Sequence, residues 1–157
     1  MESWEDWITQ NKRSFDIFYE KNFIRQVLAQ INDIEPSDVV PQFEFRDSLN
    51  KKRRIDFYIK NNQKGYSLAI ELDGCYKDTN QKTWADFLSR QNDLLEVIPA
   101  LLRFSNKQLE LDPVQIINRI ETKLEKQQTD TQIRRKHIET KSKLETEISE
   151  YQIEITS

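Results

Sequence analysis

Apolar positions along the chain follow two rhythms. Near the start, Trp4, Trp7 and Ile8 form a short patch. Phe15, Phe18, Tyr19, Phe23, Ile24, Val27, Leu28 and Ile31 then recur at three- and four-residue steps, the spacing of one helix face. The polar, proline-containing stretch from Asn32 to Asp38 predicts a loop. From Val39 the rhythm changes to alternation, and Val39–Phe45, Arg53–Lys60 and Tyr66–Leu72 read as strands. Pro41 marks the first of these as an edge strand or as a strand start. Polar residues from Arg46 to Lys52 and the turn signal Asn61–Gly65 join the three into an antiparallel meander.

Helical spacing returns near Lys82, with Trp84, Phe87, Leu88, Leu95 and Ile98 as the expected buried stripe and Pro99 as the stop. Ala100–Phe104 is short and apolar, as an interior strand is. After Ser105 another helix is expected, with Asp112 as cap, Pro113 at its first position and Val114, Ile117, Ile120 and Leu124 as its stripe. The order is helix, three-strand meander, helix, strand, helix, which predicts an α/β fold around a small mixed sheet.

Composition changes after Lys126. The spacing supports one domain over residues 1–126 and a polar extension over 127–157, serving assembly or partner contact. In the extension Ile133, His137, Lys141, Leu144, Ile148 and Tyr151 fall at near-heptad steps, so a helix is expected, with a seam more polar than a coiled coil's. Tyr151, Ile153 and Ile155 alternate, so its end fits a strand equally well.

A single Cys (Cys75) and a single His (His137) leave no disulfide framework and no Cys/His zinc site. Both read as incidental, since neither has an activating partner. Acids in the first seven residues do not suit a signal peptide, and no stretch reaches transmembrane length, so a cytoplasmic protein without membrane contact is expected. The charge is unevenly distributed. Residues 1–38 carry eight acids and four bases, whereas Arg46–Arg90 carry ten bases and six acids. That basic surplus surrounds three acids of particular interest, as a phosphate-holding surface beside a cation would require.

Those three are Asp56, Glu71 and Asp73. By strand alternation Ile55, Phe57 and Ile59 oppose Asp56 and Tyr58, while Leu68, Ile70 and Leu72 oppose Glu71 and Asp73. Clustered carboxylates need a cation, and Mg²⁺, with Mn²⁺ as a substitute, takes a few protein oxygens and keeps its waters. Asp56 and Glu71, joined by the Leu72 carbonyl or by Asp73, meet that demand; exposed strand acids of no function have the same spacing. Lys51, Lys52, Arg53 and Arg54 lead into the Asp56 strand and either grip a DNA backbone or form a solvated turn. Read alone, Glu20 is a solvated helix glutamate.

The ordered set of Glu20, Gln42, Asp56-Phe57, Glu71-Leu72-Asp73-Gly74, Arg90 and Leu102-Arg103-Phe104 resembles the PD-(D/E)XK nuclease superfamily, and most closely its very-short-patch-repair-like (Vsr-like) endonuclease branch. The match spans about Phe15 to Leu124. The resemblance implies a restriction-endonuclease-like core and a Mg²⁺-dependent DNA endonuclease, with Asp56 and Glu71 as metal ligands and Glu20 as a supporting acid. Asp73 stands where the wider superfamily has a lysine. Lys77 stands where the branch often has a His, and would orient water or offset phosphate charge if it is more than a loop lysine. Gln42 positions a metal water or bonds within the sheet. Arg90 touches phosphate or pairs with Asp86 one turn away, and Arg103 braces the sheet. The implied partners are DNA, with RNA not disfavoured, a second copy or larger homo-oligomer, and a helicase, transposase or restriction protein. The competing expectation is a catalytically silent subunit that binds DNA or a partner within a larger DNA-processing or defence complex.

Overall fold

Asn61 and Gly65 bracket a short turn, and Gly65 adopts φ +82°, a backbone conformation open to glycine at little cost. This turn joins β2 (Lys52–Asn61) to β3 (Tyr66–Asp73), paired antiparallel from Asn61 opposite Tyr66 to Phe57 opposite Ile70. β1 (Val39–Arg46) pairs antiparallel with the outer edge of β2, and β4 (Leu101–Ser105) lies parallel to β3. The result is a four-stranded mixed sheet in the order β1-β2-β3-β4. Pro41 indeed sits on an edge strand, where a missing N–H is harmless. The computed structural model describes residues 1–12, 18–73 and 81–156.

Among the described residues, seven helical pieces of unequal length accompany the sheet. α1 (Trp4–Gln10) and α2 (Phe18–Gln26) replace the single helical stretch expected at the start, and α2 gives way to a 3₁₀ turn at Leu28–Gln30. A second 3₁₀ turn, Pro36–Asp38, lies in the expected loop. α3 (Gln81–Val97) makes the crossover between the parallel strands β3 and β4. α4 (Asn106–Leu111) is capped by Ser105 and Gln108 in a capping box, and the 44-residue α5 (Pro113–Thr156) begins at Pro113 behind Asp112, whose Oδ1 accepts the Gln115 N–H at 3.1 Å. The helix expected after Ser105 is therefore two.

Apolar contacts fall into two clusters, one on each side of the sheet. Phe23, Ile24, Val27 and Leu28, with Ile116, Ile120 and Leu124 of α5, pack on Phe57, Ile59, Leu68 and Ile70. Leu94 and Ile98 of the α3 region pack with Phe45, Ile55, Tyr58 and Ala69. Helices on both faces of the sheet make this an α/β fold. Three details differ from the periodicity reading. Trp84, Leu88 and Leu95 are exposed and Leu94 is buried, because α3 meets the sheet along a narrow line while its sequence is apolar on two faces. Val114 is exposed, and Ile116 takes the buried place in the first turn of α5. Ile55 joins Tyr58 rather than Phe57 and Ile59, so strict alternation fails at Asp56.

α5 runs without interruption through residues 126 and 127 and continues as helix to Thr156, which removes the strand alternative at its end. Gln127 closes the β3 edge. Its Oε1 accepts the Ser67 N–H at 3.0 Å and its Nε2 donates to the Ser67 carbonyl at 2.8 Å, just before β4 takes over that edge at Ala69. Thr131 is buried against Gly65, and Arg135 donates to the Asn62 and Gln63 carbonyls at 2.6 and 2.7 Å. Among the described residues no helix is long and apolar enough to cross a membrane.

Candidate metal centre

The β2–β3 ladder ends at Phe57 and Ile70, and Asp56 stands where the strands part. With no backbone partner across the gap, the Leu72 N–H donates to Asp56 Oδ2 at 2.7 Å, so the carboxylate is fixed by the strand it faces. On the β1 side the pairing steps from Pro41–Phe57 to Phe43–Ile55, leaving Gln42 unpaired at φ +48°. A non-glycine residue in the left-handed region is uncommon, and the strain here serves to turn the Gln42 amide inward. Gln42 Nε2 donates to Glu20 Oε1 at 3.3 Å and the side chain also hydrogen-bonds Asp56. Gln42 thus bonds to the acids on either side of it, outside the β1–β2 ladder.

Glu20 is only 5% exposed. The solvated-glutamate reading fails, because α2 turns this residue towards β1 and β2 instead of water. Its carboxyl lies close enough to that of Asp56 to lower the Asp56 proton affinity against the effect of burial. Two carboxyl groups in contact require a positive charge between them, a proton or a metal. Burial pushes the Asp56 carboxyl above its ordinary range, against the opposing effects of the Leu72 amide, Gln42, Glu20 and Arg90.

Glu71 lies beyond the same fork, 6% exposed. Arg90 Nη2 donates to its Oε1 and Arg103 Nη1 lies against its Oε2, each at 2.7 Å. Burial pushes Glu71 upward as well, with Asp56 and Asp73 adding to it, against Arg90 and Arg103. Arg103 also holds Asp73 in a two-pronged contact, Nε to Oδ2 at 3.0 Å and Nη2 to Oδ1 at 2.6 Å. Its guanidinium carbon lies 4.1 Å from the centre of the Phe87 ring, on which exposed Trp84 stacks at 5.2 Å. Arg103 braces the sheet, as the sequence suggested, and neutralises two acids in doing so. A lone arginine in an apolar strand was the available signal, since such a residue is seldom buried without an acid partner.

Arg90 does not pair with Asp86 one turn earlier. Asp86 instead accepts from Arg53 at 3.1 Å, and Arg90 reaches Glu71 and the Arg54 carbonyl. Within the basic run, Lys52 and Arg54 both pair with Glu44 at 3.1 Å, and Arg53 pairs with Asp47 at 2.9 Å. The Lys51 N–H donates to Asp47 Oδ1 at 2.8 Å, closing the β1–β2 turn. Gly74 and Lys77 lie outside the described residues. A second basic surface had no foreshadowing in the charge runs: Arg119, Lys123 and Lys126 of α5, with Leu102, line an open concavity of about 480 Å³.

The carboxyl groups of Glu20 and Asp56 are donors of the kind that Mg²⁺ takes, and their approach is satisfied by a proton or by a cation. Of the acids expected at the site, Glu20 and Asp56 face each other, whereas Glu71 faces Arg90 and Arg103. An ion held by Glu20 and Asp56 would activate a water and offset charge on a phosphate. Among the described residues, no group of three or more His, Cys, Asp or Glu side chains is arranged to hold a metal, since Glu71 faces its two arginines. No family model, curated protein or solved structure matches the chain.

Proposed function

We propose that this chain is a metal-dependent endonuclease with a restriction-endonuclease-like core, hydrolysing phosphodiester bonds in DNA. The observation that carries the reading is the carboxyl–carboxyl contact between Glu20 and Asp56, made beside buried Glu71 at the point where β2 and β3 part. Three acids from a helix and two strands, far apart in sequence, converge on one place. The ordered resemblance to Vsr-like endonucleases names the same residues. Asp56 and Glu71 hold Mg²⁺ or Mn²⁺, and Glu20 acts as their supporting acid. Asp73, at the position where the superfamily has a lysine, is drawn to Arg103. Lys51 and the α5 surface of Arg119, Lys123 and Lys126 are available to the phosphate backbone, whereas Arg90 is engaged by Glu71 and the Arg54 carbonyl.

The test is cleavage of plasmid DNA by the purified protein with Mg²⁺ or Mn²⁺, and its loss with a chelator. Asp56→Ala and Glu71→Ala should abolish cleavage while circular dichroism stays unchanged. Equal cleavage by both variants would remove the site assignment, and a structured RNA in a parallel reaction decides between the two nucleic acids.

One observation favours a second reading. Both Glu71 oxygens are taken by guanidinium groups, as in a nuclease fold that has become a silent binding subunit. In that case DNA is retarded in a mobility shift, with no cleavage under any divalent ion.

A further inference from the structure

More than half of α5 has no core to pack on. Every residue from Gln132 to Thr156 is exposed. Among the described contacts, Thr131, buried against Gly65, and Arg135, bonded to the β2–β3 turn, tie α5 to the rest of the protein. Beyond them Leu144, Ile148, Tyr151 and Ile155 follow one another at steps of four, three and four, so they share one face of the helix. They are 53%, 57%, 64% and 67% exposed. A helix that leaves its body while keeping an apolar stripe is poorly stabilised in water, because most helical stability comes from burying such a face.

Charge identifies what covers the stripe. Residues 134–143 carry five bases (Arg134, Arg135, Lys136, Lys141, Lys143) against one acid, Glu139. Residues 144–156 carry four acids (Glu145, Glu147, Glu150, Glu154) and no base. The acidic half lies at the helix C-terminal end, where the macrodipole is also negative, so a helix standing alone has its charges the wrong way round. A nucleic acid would satisfy the basic half only. A second copy laid parallel would bring like charges together. Laid antiparallel about Leu144, it sets each basic half against an acidic half and lays Tyr151 and Ile155 of one copy over His137 and Ile133 of the other, so that each stripe is covered by the first half of the same near-heptad seam.

We propose that residues 133–156 pair antiparallel with the same segment of a second copy of this chain, holding the two α/β bodies at opposite ends of a two-helix stalk. This goes beyond the nuclease reading and does not depend on it. The full chain at tens of micromolar should show twice the single-chain mass by light scattering, and Ile148→Lys should return it to the single-chain mass with the thermal unfolding of the α/β body unchanged. Orientation is read in a Cys75→Ser background by mixing protein carrying Lys136→Cys with protein carrying Glu154→Cys. Oxidation should join the unlike positions. A single-chain mass for the unaltered protein, a dimer that survives Ile148→Lys, or cross-links mainly between like positions would each overturn the proposal.

Discussion

Arg103 and Glu71 stand directly opposite each other on the parallel strands β4 and β3, with Nη1 and Oε2 2.7 Å apart. The pair is largely shielded from water, the two side chains being 19% and 8% exposed. Removing one partner therefore strands a charge rather than merely losing an attraction. Arg103→Met should cost about 3 kcal/mol in urea unfolding, in the range for breaking a shielded ion pair. Adding Glu71→Gln to that variant should recover part of the loss, and a double-mutant cycle measures how much. Purely additive effects would mean that the two side chains act independently.

Asp56 gives the opposite sign. Its folded-state proton affinity is raised, chiefly by burial. The unfolded chain therefore ionises first, and stability is lost as pH rises through the unfolded carboxyl's range towards the folded one. Asp56→Asn cannot ionise and keeps an oxygen for the Leu72 N–H. Its Tm should exceed that of the unaltered protein at pH 7, and the gap should close as pH falls below both carboxyl values. If the proposed site binds metal, Mg²⁺ or Mn²⁺ should raise the Tm of the unaltered protein and leave that of the variant in place.

At the β2–β3 turn, a Cβ on Gly65 would lie 2.1 Å from Thr131 Oγ1 and 2.6 Å from Thr131 Cβ, at a φ of +82°. Gly65→Ala combines a backbone penalty with a collision, and should destabilise by more than about 2 kcal/mol. Thr131→Ala should not rescue it, because the Thr131 Cβ is itself too near. Thermal unfolding of the two single variants and the double variant checks this.

Asp38 supplies a pH dependence at the same end of the sheet. Burial raises its proton affinity, but the Glu35 amide, Asn61 and Lys64 outweigh burial and hold the carboxyl below its ordinary range. The contacts are 3.0, 2.7 and 3.2 Å long. For an acid whose folded value is depressed, the stability is present above the unfolded value and disappears as pH falls through the folded one. The unaltered protein should lose more stability than Asp38→Asn on acidification below about pH 4, the ordinary carboxyl range. Parallel acid titrations of unfolding free energy compare the two.

The strands were legible because their signals are local. Alternation placed β1, β2 and β3, and Asn61–Gly65 located the turn that pairs two of them. Helix faces were less so. On α3, Trp84, Leu88 and Leu95 fit a buried stripe as well as Leu94 does, and only the small contact with the sheet decides among them. The acids were legible as a set, but their partners were not. Glu20 meets Asp56 through a strained Gln42, and Glu71 meets Arg90 and Arg103 across a crossover helix and a parallel strand. Such contacts follow from topology, which periodicity does not carry. The Gln127 contact was hidden for the same reason, inside a stretch that read as the start of a polar extension.

The Gln127 side chain reaches sixty positions back to serve Ser67. A ribosome makes β3 long before it makes the residue that closes β3's edge. Until α5 emerges, the Ser67 N–H and carbonyl face water or a neighbouring nascent chain, and an open strand edge is a template for mispairing. Translation order thus makes the middle of α5 the clasp that shuts the sheet, and a ribosome stalled before Gln127 holds a sheet whose edge is still open.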